Sequence, residues 1–408
     1  MLRRSWPAEG VTRVPYWVYQ DEDLYRQEQE RIFRGETWNY LCLDAELPEP
    51  LSFLTTFVGE MPVVVTRDGN GVLHAWENRC AHRGALICMR SRGKAERFAC
   101  IYHNWIYDHE GNLTTVAFRR GIAGKGGMAP DAKPETQAPK KLRVQSVHGL
   151  VFGTLSASTP PLQDYIGPDI LPRIARVMKK PVKVLGSYTQ VLPNNWKLYM
   201  DNVKDTYHAS LLHVFFTKFR INRLTQKGGV FVSEDGAHHC TYTEMVQDSG
   251  DAYEKDGMRT AGAHHDFVLE NPELLEQVDE LGDRVSIQIL SLFPGFVLHQ
   301  IRNSLAARQV VPKGIDRTEL HWTLFGFEDD DAAMQRRRML QANLVGPAGY
   351  ISMEDGAATG FVQRGVAAAP DRASVLEMGG ATIGSGDSRI TETAVRGLWQ
   401  AWRRYMDL

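Results

Sequence analysis

The sequence has little cysteine, little net charge and no long apolar run. Its 408 residues include five cysteines, an odd number that argues against a disulfide framework and for reduced or metal-bound thiols. The 47 basic residues nearly balance 49 acidic ones, so nothing attracts the chain generally to nucleic acid or anionic membranes. No stretch approaches the roughly 18 apolar residues of a spanning helix, and the N-terminal residues lack an apolar signal segment. We therefore expect a cytoplasmic globular protein without nucleic-acid or membrane partners.

The chain is long enough for two domains, since single cores rarely exceed about 250–300 residues. Asp21 to Phe33 predicts a helix with an aspartate cap. From Trp38 onwards, short apolar runs alternate with turn sequences such as Asp68-Gly69-Asn70-Gly71 and Asp108-His109-Glu110-Gly111-Asn112, which predict β-hairpins. The first domain is therefore predicted to be all-β, ending in a linker over Ser156 to Pro161.

The remainder mixes helical and strand-like segments, which favours an α+β domain on a mainly antiparallel sheet. Val285 to Val311 and Thr318 to Phe327 are interpreted as long strand-like runs joined by a turn. The C-terminus predicts a helix, because its apolar residues fall on one face at helical spacing. These residues are Val395, Leu398, Trp399, Trp402, Tyr405 and Met406.

Two short segments pair a cysteine with a histidine, as Cys80-x-His82 and Cys100-x-x-His103. In a Rieske-type [2Fe-2S] cluster, two thiolates hold one iron and two imidazoles hold the other, which raises the reduction potential. A structural zinc ion is the alternative, but zinc modules usually pair Cys with Cys and His with His. The spacing therefore favours an electron-accepting cluster.

A second group of candidate ligands is Asp205-x-x-His208-x4-His213. On an ideal helix the two histidines lie about 140° apart, so joint ligation requires a broken or bulged helix. Fe(II) with open coordination positions needs a third, anionic ligand beside two histidines. The best candidate is Asp355, which follows the segment Gly346-Pro347-Ala348-Gly349.

The remaining cysteines and paired histidines are given structural interpretations. Cys42, Cys88 and Cys240 are expected to be buried, as free cysteines often are. The pairs His238-His239 and His264-His265 are interpreted as exposed loop residues.

These three motifs, in this order, resemble those of Rieske non-haem iron ring-hydroxylating oxygenase large (alpha) subunits over essentially the whole chain. The resemblance implies that a [2Fe-2S] cluster is bound by Cys80, His82, Cys100 and His103, and a mononuclear Fe(II) by His208, His213 and Asp355. It also implies that Asp205 is the catalytic relay that links this iron to a cluster histidine of a neighbouring subunit. The implied fold is α+β, with an all-β Rieske domain over 38–155 and a helix-grip catalytic domain over 156–408 to which residues 1–37 belong.

Within that family, Trp38 to Leu43, Leu192 to Tyr199 and Gln226 to Val230 most resemble terephthalate 1,2-dioxygenase large subunits. The resemblance implies cis-dihydroxylation of an aromatic carboxylate, with O2 and with electrons from an NAD(P)H-dependent reductase, directly or through a ferredoxin. A small beta subunit is the implied partner, in an alpha3beta3 hexamer or an alpha3 trimer. Ring monooxygenation, as by salicylate 5-hydroxylase, and anthranilate- or benzoate-type dioxygenation are the alternatives. From other classes, a Rieske ferredoxin fused to a binding module and a zinc-stabilised interaction protein stay open.

An aromatic carboxylate needs a cation, and the guanidinium fork of arginine suits it. The resemblance assigns substrate binding to Arg308, Arg396 and Asn202. His299 and Arg302 depart from the uncharged polar residues expected there, and we interpret both as outward strand positions.

Overall fold

The structure is a computed structural model of a chain that divides into two compact units. One unit comprises residues 33–162, and the other comprises residues 1–32 with 163–408. The boundaries predicted from sequence lie at 38 and 155. The residues that the structure describes are 5–219, 221–245, 252–255, 257–258, 269–346 and 349–408. His264, His265, Pro347 and Ala348 lie outside them.

The N-terminal segment contains a short strand and a capped helix. These are β1 (Arg13–Pro15) and α1 (Glu22–Glu28), and a π-helical turn over Gln29–Phe33 continues α1. The carboxylate of Asp21 caps α1 by accepting a hydrogen bond from the N–H of Leu24 at 3.0 Å. The helix predicted from Asp21 to Phe33 is therefore confirmed, with its last turn widened.

The unit of residues 33–162 consists of two antiparallel sheets. Its strands are β2 (Asn39–Leu43), β3 (Ser52–Val58), β4 (Met61–Arg67), β5 (Leu73–Glu77), β6 (Arg92–Lys94), β7 (Phe98–Ala99), β8 (Ile106–Tyr107), β9 (Leu113–Thr115), β10 (Lys141–Val147) and β11 (Leu150–Thr154). Seven of them pair in the order β2-β11-β10-β5-β4-β3-β6, and the other three in the order β7-β8-β9. The predicted all-β architecture is confirmed.

Both predicted hairpin turns are present in this unit. Asp68 joins β4 to β5 and accepts hydrogen bonds from the N–H groups of Asn70 and Val72 at 2.8 and 2.9 Å. Asp108 lies between β8 and β9 and likewise accepts hydrogen bonds from the N–H groups of Glu110 and Asn112. These carboxylates replace backbone acceptors, which is why aspartate at such positions predicts a turn.

The larger unit is built on a second seven-stranded antiparallel sheet, in the order β12-β18-β17-β16-β15-β14-β13. Its strands are β12 (Val182–Leu192), β13 (Gly228–Val232), β14 (His239–Glu244), β15 (Val285–Leu292), β16 (Phe296–Ile301), β17 (Ser304–Pro312) and β18 (Thr318–Phe327). A further strand, β19 (Ala373–Val375), pairs with β1. This is the antiparallel sheet expected for the α+β domain.

The prediction of one long strand-like run from Val285 to Val311 was wrong. The run is three antiparallel strands, because the chain reverses at Phe293 to Gly295 and again at Arg302 and Asn303. Arg302 has φ 54°, a left-handed conformation that ends a strand. The proline and glycine at 294 and 295 were the available signal for the first reversal.

The helices that follow the first unit include three of the candidate residues, Asn202, Asp355 and Arg396. They are α2 (Leu162–Ile166), α3 (Leu171–Val177), α4 (Trp196–Lys204), α5 (Ala209–Leu212), α6 (Val214–Lys218), α7 (Ala252–Lys255), α8 (Ala332–Val345), α9 (Tyr350–Ala367) and α10 (Thr393–Met406). α4 packs against α9, α10, β15 and β17. α10 confirms the predicted C-terminal helix, with Trp399 and Trp402 fully buried. Among the described helices, none is both long and apolar enough to cross a membrane.

Candidate functional site

The four residues of the first constellation converge at the ends of two loops. The thiols of Cys80 and Cys100 are buried, whereas the imidazoles of His82 and His103 are half-buried. The two Nδ1 atoms lie 3.1 Å apart. Since metal–imidazole bonds are about 2 Å long, both nitrogens can bind one metal ion. The donor set therefore fits a cluster with its sulfur ligands inside and its imidazoles towards the surface.

The two ligand loops are near copies of each other. In each, the cysteine N–H donates to the carbonyl five residues later, Ala85 in one loop and Trp105 in the other. In each, the residue four positions after the cysteine donates back to the cysteine carbonyl and has positive φ, 75° at Gly84 and 55° at Asn104. Glycine and asparagine tolerate this conformation best. The local sequence therefore folds each loop into a turn that presents its cysteine and histidine together.

Aromatic side chains support both kinds of ligand. The hydroxyl of Tyr107 donates to Sγ of Cys80 at 3.2 Å and accepts from the N–H of Ala81. The ring of Trp105 stacks on His82 with centroids 4.7 Å apart. Burial, the neighbouring His103 and Arg83 together lower the pKa of His82, which favours the neutral imidazole that binds metal.

The second constellation gathers three ligands from distant parts of the chain. Nε2 of His208 and Nε2 of His213 lie 3.4 and 3.3 Å from the same carboxylate oxygen of Asp355. One ligand atom from each residue lies within 4.8 Å of the others. Two imidazoles and a carboxylate on one side of a cavity are the donor set that Fe(II) takes in non-haem oxygenases, so the residues fit that ion.

The expected break in the helix is present at this site. α4 ends at Lys204, His208 precedes α5, and His213 separates α5 from α6 with φ −82° and ψ 81°. The break brings the two rings to a centroid separation of 5.4 Å. Asp355 reaches them from the first turns of α9.

Two further carboxylates lie behind the histidines. Oε2 of Glu354 lies 2.8 Å from Nδ1 of His213, and Oδ2 of Asp205 lies 3.4 Å from Nδ1 of His208. Such carboxylate contacts fix the ring orientation of a metal-bound histidine. The sequence contained no signal for Glu354, since a helix turns about 100° per residue and adjacent residues seldom serve one site.

The same carboxylates determine the proton affinity of the two imidazoles. Burial lowers the pKa of His208, but Asp205 and Asp355 outweigh it and raise that pKa to about 10. Burial likewise lowers the pKa of His213, and Asp355 and Glu354 reverse the effect. Burial raises the pKa of Asp355, yet the two histidines bring it well below its usual range. The carboxylates thus stabilise positive charge at both imidazoles.

A cavity with about 740 Å³ of empty space, partly open to solvent, adjoins these ligands. Its floor is one face of the sheet in the larger unit, because alternate residues of successive strands point into it. The floor residues are Thr241, Thr243, Ile287, Ile289, His299, Ile301, Arg308 and Trp322. The amide of Asn202 also lines the cavity and lies 3.3 Å from Asp355.

Arg308 lies in this cavity as a buried cation. Its guanidinium lies over the ring of Trp322 at 4.7 Å and donates to the hydroxyl of Tyr199 at 2.7 Å. Its Nε has no hydrogen-bond partner, and no described carboxylate pairs with it. An anion in the cavity would complete its contacts.

The structure does not place Arg396 in the cavity. Its guanidinium is fully buried and donates to the backbone carbonyls of Leu376, Met378 and Thr382. It therefore holds an irregular segment against α10. The prediction that Arg396 lies at the substrate site has no support in this geometry, because the helix turns its side chain towards that segment.

Arg389, seven residues earlier, lines the cavity instead. Its guanidinium donates to Oδ1 of Asn222 at 2.6 Å and to the carbonyl of Gln226 at 3.1 Å. Burial lowers its pKa to about 10, and no carboxylate in the described residues pairs with it. The sequence carried no signal for Arg389, since it lies in an irregular segment without periodicity.

Other histidine and arginine predictions need correction. His299 is fully buried and lines the cavity, and Arg302 lies half-buried in the turn after β16, so neither is an outward strand residue. His238 and His239 are also fully buried, where His238 bonds the carbonyl of Tyr165 and His239 the hydroxyl of Ser291. Both ring nitrogens of His238 have buried hydrogen-bond partners, which the sequence does not show.

Two family models match the chain. The Rieske [2Fe-2S] domain matches residues 37–123, and the ring hydroxylating alpha subunit (catalytic domain) matches residues 179–408. The chain is also similar in fold to naphthalene 1,2-dioxygenase from Rhodococcus sp., with TM-score 0.79 and 21% identity over 97% of this chain and 94% of that one. This likeness concerns the fold alone.

Three curated relatives match along nearly their whole length. The alpha 2 subunit of the terminal oxygenase component of terephthalate 1,2-dioxygenase from Comamonas sp. is 52% identical over 98% of this chain and 97% of its own. Anthranilate 1,2-dioxygenase large subunit from Burkholderia cepacia is 46% identical over 98% and 95%. The salicylate 5-hydroxylase large oxygenase component from Ralstonia sp. is 38% identical over 98% and 96%.

Proposed function

This chain belongs to the ring-hydroxylating oxygenase alpha subunits, and from that premise we propose that it cis-dihydroxylates an aromatic dicarboxylate of the terephthalate type. The family combines a Rieske [2Fe-2S] domain with a catalytic mononuclear-iron domain and takes electrons from NAD(P)H through a reductase. The balanced reaction adds both atoms of O2 to one ring edge, while NAD(P)H and a proton supply the two electrons and two hydrogens of the cis-dihydrodiol.

In this proposal Cys80, His82, Cys100 and His103 hold the cluster, which supplies one-electron transfer when bound. The hydroxyl of Tyr107 stabilises negative charge on Sγ of Cys80 by its hydrogen bond. The half-buried imidazoles form the accessible side of the centre, suited to electron exchange with another protein. The zinc interpretation of these four residues is set aside, because the Rieske family model covers them.

His208, His213 and Asp355 would hold the mononuclear Fe(II), which supplies O2 activation when bound. Glu354 and Asp205 orient the two imidazoles through their Nδ1 atoms. The side chain of Asp205 is 24% exposed, so it can also contact a cluster histidine of a neighbouring copy. We assign it the relay between the two centres.

The substrate assignment rests on one observation: two buried arginines without carboxylate partners, Arg308 and Arg389, line one cavity beside the iron ligands. A buried cation needs an anionic partner, and guanidinium binds carboxylate bidentately. Two such cations match an aromatic acid with two carboxylates better than one with a single carboxylate. Apolar Ile287, Ile289 and Trp322 line the same cavity and suit the ring.

The family acts as an oxygenase component in multimeric assemblies with reductase partners. We propose that this chain assembles with a small beta subunit as an alpha3beta3 hexamer, or alone as an alpha3 trimer. The exposed edge of Asp205 supports an assembly in which a second copy approaches the iron site.

A single turnover of the chemically reduced protein under labelled O2 tests the proposal. Terephthalate, salicylate, anthranilate and benzoate are supplied in parallel, with the small subunit present. We expect a terephthalate cis-dihydrodiol that carries two labelled atoms, in higher yield than any product from the monocarboxylates. A singly labelled phenol from salicylate, with no terephthalate product, would assign the chain to the ring monooxygenases.

A further inference from the structure

His299 occupies a position in the cavity where packing alone would favour an apolar residue. It lies in the middle of β16, directly opposite Ile289 on β15 and Ala306 on β17. The side chain is completely buried, and its ring meets Trp322 edge to face at 5.7 Å. Its neighbours on this face of the sheet are thus mainly apolar, yet the residue is polar.

Neither ring nitrogen of His299 has a hydrogen-bond partner among the described residues. A buried donor or acceptor without a partner destabilises a protein, whereas an apolar side chain of similar shape does not. By contrast, buried His238 has partners on both nitrogens. Because His299 lines the cavity, a molecule bound in the cavity can supply the missing partners.

Arg308 lies next to His299 on the same face of the sheet. Arg308 follows Ala306 by two residues on β17, so it is the diagonal neighbour of His299 across the strand pair. Its Nε also lacks a partner. Burial, helped by this cation, lowers the pKa of His299 well below its usual range, so the ring is neutral. A neutral imidazole offers one N–H donor and one nitrogen acceptor.

We propose that His299 is a specificity-determining residue that binds a hydroxyl or amino group on the substrate ring beside the carboxylate held by Arg308. This inference rests on the proposed function, because it assumes that Arg308 binds a ring carboxylate. The acceptor nitrogen of His299 accepts a hydrogen bond from the O–H or N–H of the ring substituent. The preferred substrate class is therefore a terephthalate with a hydrogen-bonding group at ring position 2.

The test is the affinity of the complete, reduced holoenzyme for four ligands, measured anaerobically by calorimetry so that no turnover occurs. The ligands are terephthalate and its 2-hydroxy, 2-amino and 2-methyl derivatives. The methyl derivative controls for size, because it fills the same space without a hydrogen bond. We expect the wild type to bind the hydroxy and amino derivatives about tenfold more tightly than the methyl derivative.

Three variants separate recognition from packing. His299→Leu should abolish the preference and keep the thermal midpoint at or above the wild-type value, since it removes an unsatisfied buried group. His299→Gln, which retains a donor and an acceptor, should restore part of the preference. Leu298→Met, a change of shape next to His299 in β16 at a residue that does not line the cavity, should keep it.

The outcomes distinguish this inference from the proposed function. Equal binding of the hydroxy and methyl derivatives by the wild type, with terephthalate still bound, would overturn the role of His299 alone. A preference that persists in His299→Leu, or a large fall in thermal midpoint with the preference intact, would also overturn it and leave a packing role. If the wild type binds none of the four ligands, the proposed function fails and this inference fails with it.

Discussion

The first centre takes its ligands from two adjacent loops between Cys80 and His103, whereas the second joins residues as far apart as His208 and Asp355. In the first, each loop folds through its own backbone hydrogen bonds, and the two loops repeat one pattern. In the second, a broken helix supplies the histidines and α9 supplies the carboxylate. A centre built from local turns depends on short segments, while a centre built across the fold depends on helix packing.

The largest expected effect is the loss of the mononuclear iron while the [2Fe-2S] cluster is retained. His213→Ala removes one of three iron ligands and leaves the Rieske loops untouched, so product formation should fall below detection while the visible cluster spectrum persists. Iron analysis should show a loss of about one atom per chain. Cys100→Ser is the matched control and should bleach the spectrum. If His213→Ala bleached the protein as well, the assignment of separate centres would be wrong.

The next effect tests the connection between the centres. Asp205→Asn keeps the shape of the side chain but removes its charge beside His208. Both centres should assemble, and turnover should fall roughly 100-fold, at the upper end for a residue that acts on a metal ligand. Stopped-flow reoxidation of the cluster in the presence of substrate measures the electron transfer directly. Normal reoxidation rates in this variant would remove Asp205 from the electron path.

Substitutions of three arginines test which of them bind the substrate. Arg308→Met and Arg389→Met should each raise KM for terephthalate roughly 10- to 100-fold, since each removes a charged hydrogen-bonding partner. Either change should also narrow the preference for terephthalate over benzoate. Arg396→Met should instead lower the thermal midpoint with little change in KM, because its guanidinium bonds only backbone carbonyls. A rise in KM confined to Arg396→Met would reverse this assignment.

The smallest expected effect concerns the carboxylate behind His213. Glu354→Gln retains a hydrogen-bond acceptor but removes the charge 2.8 Å from Nδ1, so iron affinity should fall about tenfold. Dialysis against graded Fe(II) activities, with the cluster spectrum as an internal reference, measures the change. Glu270→Gln, at an exposed site outside the cavity, provides the control. An unchanged affinity would restrict Glu354 to a packing role.

The same contrast explains how much of the protein was predictable from sequence. The all-β unit, its two turns and the Cys/His loops follow from short-range spacing, and the structure brings those four residues together. The break between His208 and His213 followed from helix geometry. Sequence could not show which of Arg389 and Arg396 lines the cavity, because this depends on the irregular segment whose carbonyl groups accept hydrogen bonds from Arg396. The burial of His299 was not predicted either. Every residue of β16 is buried, so the strand lacks the alternation of buried and exposed residues that identifies an outward position.

The most direct test of the central claim is a titration of the mononuclear iron in otherwise intact protein. The reduced protein is treated with a chelator until the second centre is empty and the cluster spectrum is unchanged, and Fe(II) is then added stepwise under labelled O2 with terephthalate. We expect the yield of doubly labelled cis-dihydrodiol to rise in proportion to added iron and to saturate at about one iron per chain, as for one three-ligand site. Product formation that does not depend on the added iron would contradict the assignment of this centre. The absence of product after the site has been refilled with iron would contradict it as well.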